Sequence, residues 1–412
     1  MKPRSLLVLA MLLTGTVSAQ TLTVGNTPTT PNSSDANLGA VRTAVDLTHP
    51  ANATGSLDTA NFSWSTSGCT AAAKVKVFRR VGDNFTLVAE RGPFDVSTFS
   101  MTVTLSPAIP VLQGDLIGLA RVASCGNPGA VSPGYDASFI EVAGDATSFS
   151  YSPSAVYGNR LQVSATGTAT EVVAGVIPSV ASNPGRGGAY FRTLVQALAP
   201  YSFAPVSGKF VFRKKGTPGG PTDVSMPFSV AGGSVESWTD LLNSMGATGN
   251  PGSIDVVLPW GASTLLVGAQ VYNDQGNGTT GFREELIPTI NHGFAVGTNI
   301  FFSGATGYMF GPANANTYRA NIAVRSLEAG VEATFQVYHA DGTAAGSAHS
   351  LRYPPNTWDQ DSWAVMTGVA LEDGAYVRIS VSRGSAIFEV SIVDNITNDP
   401  ADVVARVLGA VI

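Results

Sequence analysis

The segment Asn273-Asp274-Gln275-Gly276-Asn277-Gly278 places oxygen-bearing side chains at alternate positions. Counted from Asn273, polar side chains fall at positions 1, 3, 5 and 7, glycine at 6 and Glu284 at 12, the ligand order of a calcium loop. Asn stands where such loops carry Asp, and Gln takes the third position, so Glu284 alone supplies an anionic oxygen. No helix–loop–helix pattern flanks the segment. It reads first as a Gly-rich inter-strand loop, with calcium as the alternative and Asn273, Gln275, Asn277 and Glu284 as the candidate ligands. No other cofactor is expected. Asp394-Asn395-Ile396-Thr397-Asn398-Asp399 is richer in carboxylates but has no glycine.

Trp260, in Leu258-Pro259-Trp260-Gly261, lies between two apolar runs and is expected at a hairpin tip. An aromatic there can stack on a sugar ring or a protein partner, or pack on a neighbouring domain. Trp260 is the binding candidate. Cys69 and Cys125 are the only cysteines, and in an oxidising compartment an isolated pair most simply forms one disulfide.

Nucleophilic signatures are missing. The chain has no Gly-x-Ser-x-Gly elbow and no His-Glu-x-x-His helix. Its four histidines, His49, His292, His339 and His349, are scattered. Glu284-Glu285 and Glu372-Asp373 are adjacent carboxylates, and neighbours on a strand point to opposite faces, so neither pair suits glycoside hydrolysis. No catalytic residue is assigned, and the chain is expected not to be an enzyme.

These residues need elements to hold them. Glycine (45) and proline (24) are abundant, 44% of residues are hydrophobic and 13% charged, which excludes disorder, collagen and coiled coil. Lys2 and Arg4, the apolar run Leu6 to Leu13 and Val17-Ser18-Ala19 read as a signal peptide cleaved after Ala19. Removing Lys2 and Arg4 takes the net charge from −6 to −8, which disfavours nucleic acid. The short basic runs Lys74-Val75-Lys76 with Arg79-Arg80, and Arg213-Lys214-Lys215, are expected on solvated strand faces. No later stretch is apolar and long enough to span a membrane. The chain is expected to be secreted, periplasmic or at the cell surface.

Residues 20–38 are expected to be a flexible leader. Alternation over Lys74 to Arg79, Phe85 to Glu90, Ser100 to Leu105 and Leu116 to Val122 predicts half-buried antiparallel strands. They belong to a jelly-roll-like sandwich over 39–172, with Asp115 as a turn residue. The rest shows an internal duplication. Phe191-Arg192-Thr193 matches Tyr318-Arg319-Ala320, and Val211-Phe212 matches Val337-Tyr338. Gly252 to Val256 matches Gly374 to Arg378, Asn273-Asp274 matches Asp394-Asn395, and Trp260 falls against Arg383. The expectation is two sibling sandwiches, 173–290 and 291–412, each with one short helix, Trp238 to Met245 and Trp358 to Met366. The fold class is therefore all-β, with three consecutive antiparallel β-sandwich domains.

Ile177-Pro178, Gly185 to Gly188, Phe191-Arg192-Thr193 and the closing Asp394-Asn395-x-Thr397-Asn398-Asp399-Pro400 resemble a tandem β-sandwich, immunoglobulin-like region of secreted bacterial proteins. Gly114-Asp115-Leu116-Ile117-Gly118 is similar to their jelly-roll modules. The resemblance implies architecture and no catalytic residue. Together these readings lead us to expect an exported, non-enzymatic protein for extracellular interaction, adhesion or scaffolding, with an extracellular protein or glycan as partner. A carbohydrate-binding protein, using the jelly roll or Trp260, and a secreted hydrolase with a dispersed site are the alternatives. Sequence leaves the oligomeric state open.

Overall fold

The computed structural model describes residues 21–28, 33–34, 41–131, 138–185, 188–200, 205–262, 264–274, 279–289, 299–398 and 400–407. The signal-peptide reading therefore lies outside the described residues, as does the boundary expected at 290. The protein is all-β, 63% strand and 4% helix, with several antiparallel sheets, one of them a curled half-barrel.

The four alternating segments all form strands, within Cys69–Val81, Asn84–Val96, Ser100–Val111 and Leu116–Arg121. Alternation marks strands with two unlike faces, but Leu116–Arg121 departs from the half-buried expectation, with all six residues buried and its apolar side chains divided between two cores. The larger core lies between two sheets and contains Leu57, Phe62, Trp64, Val75, Val77 and Ile117, all fully buried. Cys69 and Cys125 are bonded, as expected, with Cα atoms 5.6 Å apart. The bond ties the start of Cys69–Val81 to the chain beyond its neighbour Leu116–Arg121. Four residues of the expected leader, Leu22–Gly25, instead form a strand on Val163–Val180, because Leu22 and Val24 find places in the same core.

The strand Val163–Val180 joins the first two bodies. Its first half pairs with Thr54–Ser63 and its second half with Gly252–Pro259. One sheet therefore runs through both bodies, and the boundary expected at 172 falls inside a single strand. Beyond it, Gly252–Pro259 pairs with Val206–Lys214, and Val206–Lys214 with Ser225–Val230. A second sheet, built on Tyr190–Leu198, Leu266–Asp274 and Thr279–Glu285, closes this middle core around Val195, Phe210, Leu241 and Ile254.

The third body is organised by two long strands, Tyr318–Tyr338 and Tyr376–Asp394, paired along their lengths. Its core holds Phe301, Phe335, Trp363, Val377 and Phe388. Both strands bend at one level, where Gly330 (φ 73°) and Gly384 (φ 76°) face each other. A Cβ on Gly384 would stand 2.0 Å from the Gly330 carbonyl oxygen, so only glycine permits this approach. The helices are shorter than the periodicity predicts. They span Leu241–Ser244 and Trp363–Thr367, and Trp358–Ser362 is a strand paired with Tyr318–Tyr338.

Candidate functional site

Several of the charged residues of this charge-poor chain meet where the three bodies join. Asp255 lies in Gly252–Pro259, whose other side chains from Ile254 to Leu258 are apolar, and it is fully buried. Arg213, on the adjacent strand, donates from Nε and Nη2 to Asp255 Oδ2, both at 2.7 Å. Arg325 reaches in from the third body and donates from Nη2 to Asp255 Oδ1 at 2.6 Å. Arg213 also pairs with Asp223. Burial pushes the Asp255 carboxyl up, but the two guanidinium groups more than offset this and hold it below the usual carboxylate range. A buried carboxylate with two buried guanidinium partners fixes the geometry of the junction between the second and third bodies.

Above this hub opens a cleft of about 320 Å³ lined by residues of all three bodies. The first body contributes Arg79 and Asp115, which form a two-bond pair at 2.9 and 2.8 Å. Asp115 also accepts from the Leu112 N–H at 2.8 Å, so its turn role and its ion pair coexist. Burial raises its pKa despite Arg79 and that N–H. The middle body contributes Lys209, whose Nζ donates to Glu171 Oε2 at 2.7 Å with both side chains well exposed. Gln113 links all three bodies. Its Nε2 donates to Glu328 Oε1 at 2.8 Å, and its Oε1 accepts from the Val173 N–H at 2.7 Å. Burial raises the pKa of Glu328, and nearby Asp255 adds to the effect.

A second cluster joins the first body to the third. The Arg352 guanidinium lies 3.8 Å from the Tyr151 ring centre, and that of Arg80 lies 4.9 Å away. Arg352 pairs with Asp83 at 2.6 Å, and Arg383 donates to the Tyr151 hydroxyl at 3.1 Å. Burial, with Arg352 nearby, pulls the Arg80 pKa down to about 10.

The basic runs are thus only partly on solvated faces: Lys214 and Lys215 are exposed as expected, and the others are not. Lys76 is fully buried against Glu90 (2.7 Å) and Asp145 (2.6 Å), and Arg79, Arg80 and Arg213 are spent at the seams. Alternation shows that a strand has two faces. It does not show that a second body covers the polar one.

The sequence-selected residues lie elsewhere. Trp260 is half-buried and packs on the core of the first body, with its backbone N–H donating to the Thr170 carbonyl at 2.8 Å. Asn273 is buried and accepts from the Tyr190 N–H at 3.1 Å. Glu284 is also buried, on the partner strand opposite Ala269, whereas Asn273 sits opposite Thr280. Four rungs of hairpin therefore separate Asn273 from Glu284, ~13 Å along the strand. Gln275 and Asn277 lie outside the described residues. Among the described residues, no group of three or more His, Cys, Asp or Glu is placed to hold a metal ion. Asp394 accepts from the Ile396 and Thr397 N–H groups, an Asx turn. His49 contacts Asp46, His339 contacts Glu372, and His349 contacts the Met366 carbonyl. His292 is outside the described residues.

Sequence reasoning missed Asp255, Arg325, Gln113 and Glu328. The usable signal was a lone charge inside an apolar strand, Asp255 after Ile254 and Arg325 after Val324, because such a charge requires a buried partner. No helix among the described residues is long and apolar enough to cross a membrane. No protein-family model matches the chain, and no curated protein matches it, so what stands is a mostly β protein of several antiparallel sheets.

Proposed function

We propose that this is an exported, non-enzymatic protein that acts by extracellular interaction, adhesion or scaffolding. In this reading it is built from a jelly-roll-like sandwich followed by two sibling, immunoglobulin-like sandwiches. The sharing of Val163–Val180 between two bodies carries the reading. A continuous sheet resists hinge motion, so the loops are presented at fixed separations, which suits a scaffold more than an enzyme that must close on a substrate. The sibling relationship is supported by register. Phe191 pairs with Asn273 as Tyr318 pairs with Asp394, and Val211 pairs with Asp255 as Val337 pairs with Val377. These are the positions that match in the sequence.

The test is saturable binding of the full exported chain to the surface of its native cell, together with a broad hydrolase screen. Surface binding without turnover is the expected result. Turnover that disappears on changing His49 or His339 would overturn the reading in favour of a hydrolase. The polar cleft favours carbohydrate binding as the second reading, with its lining of paired charges replacing Trp260 as the recognition element.

A further inference from the structure

We infer that the three-body cleft is a binding site for a small neutral polyhydroxyl ligand, a mono- or disaccharide; this deepens the carbohydrate reading and rests on it. Size comes first. At about 320 Å³ the cleft is at the small end of ligand pockets, large enough for one or two sugar rings. The lining chemistry selects among small molecules. Among the described residues no aromatic side chain lines the cleft, so a ligand there is held by polar contacts rather than by stacking, which disfavours a flat base or an aromatic acid.

Charge decides next. Lys209 is already paired with Glu171, and Arg79 with Asp115. A carboxylate, phosphate or ammonium ligand would bring a net charge into a lining whose acids and bases already offset one another. A hydroxyl group does not, and it donates to a carboxylate and accepts from an ammonium at once. Donor and acceptor capacity remains at the mouth. Glu171 takes one of the three Lys209 protons through Oε2, and Arg79 uses Nε and Nη2 on Asp115. Ion pairs with spare lone pairs and protons, fixed by a rigid frame, match a polyol, whose hydroxyls alternate the two roles.

The test uses the full exported chain in titration calorimetry against a panel of neutral mono- and disaccharides, with acetate, phosphate and glycine as charged probes. At least one neutral sugar is expected to saturate the protein at one site. Lys209→Met and Glu171→Gln are each expected to weaken it at least tenfold. Both side chains are well exposed, so both variants are expected to fold, and unchanged melting temperatures would verify it. Ser225→Trp, which fills the cleft from an exposed lining position, is expected to abolish binding. Saturation by a charged probe alone, or no saturation by any sugar, overturns the inference. Sugar or polysaccharide binding that survives all three variants also overturns it, while leaving the carbohydrate reading standing on another surface.

Discussion

The middle and third bodies follow the same order of strand pairings but treat the centre of their long strands differently. In the middle body, Tyr190–Leu198 and Val206–Lys214 are separate strands, as are Gly252–Pro259 and Leu266–Asp274. In the third body each pair is one strand, Tyr318–Tyr338 and Tyr376–Asp394, carried past the bend by Gly330 and Gly384. The matched positions Trp260 and Arg383 both lie at this level and both contact the first body. Trp260 packs on its apolar core, and Arg383 bonds to the Tyr151 hydroxyl. One architectural position thus makes an apolar seam in one body and a polar seam in the other. The pairing plan constrains where a seam falls, and the local side chains decide what holds it.

That comparison can be broken at its shared point, the Asp255 hub between the two bodies. Asp255→Ala would leave Arg325 buried without its carboxylate and Arg213 with Asp223 alone, and should cost about 4 kcal/mol in a denaturant titration. The hub also sets an acid limb. Asp255 is held below its ordinary pKa, so its contribution is full above the unfolded carboxyl value and is lost as pH falls through the lower folded value. The Ala variant should therefore lose less further stability than the parent between about pH 5 and pH 2. Glu328 works in the opposite sense. Its raised pKa means that the folded state is relieved as pH falls through that value, so Glu328→Gln should flatten stability just above the ordinary carboxyl range.

Gly384→Ala tests the bend itself and should cost about 3 kcal/mol, because it adds a steric clash to a positive φ. Gly261, which follows Trp260 in the interrupted strand of the middle body, also has a positive φ (76°) but sits in a turn. Gly261→Ala should cost about 1 kcal/mol, the conformational part alone. Equal losses at the two glycines would contradict the distinction drawn between bend and turn.

The seams carry smaller losses than the hub and the bend. Trp260→Ala should cost about 2 kcal/mol and be insensitive to salt, because it loses half-buried apolar area. Arg383→Ala should cost about 0.5 kcal/mol and be masked by high salt, because a partly exposed charged contact is screened. A salt-sensitive loss at Trp260 would contradict the apolar reading of that seam.

Much of the architecture was legible because period-2 alternation follows from strand geometry alone. The strands around Lys74, Phe85, Ser100 and Leu116 needed no tertiary information, and a chain with only two cysteines leaves one intramolecular pairing. The matched residues of the two later bodies were also visible as sequence. The leader residues Leu22–Gly25 were misread because a short apolar pair reveals nothing about a core to receive it. The cleft was invisible for a related reason. Arg79, Gln113, Glu171, Lys209 and Glu328 are far apart in the chain, and each looks like ordinary surface decoration until three bodies close around it. Local sequence determines which face of a strand is apolar. Only the packing of body on body decides whether the other face meets water, another charge or a ligand, because burial is a property of the assembled fold.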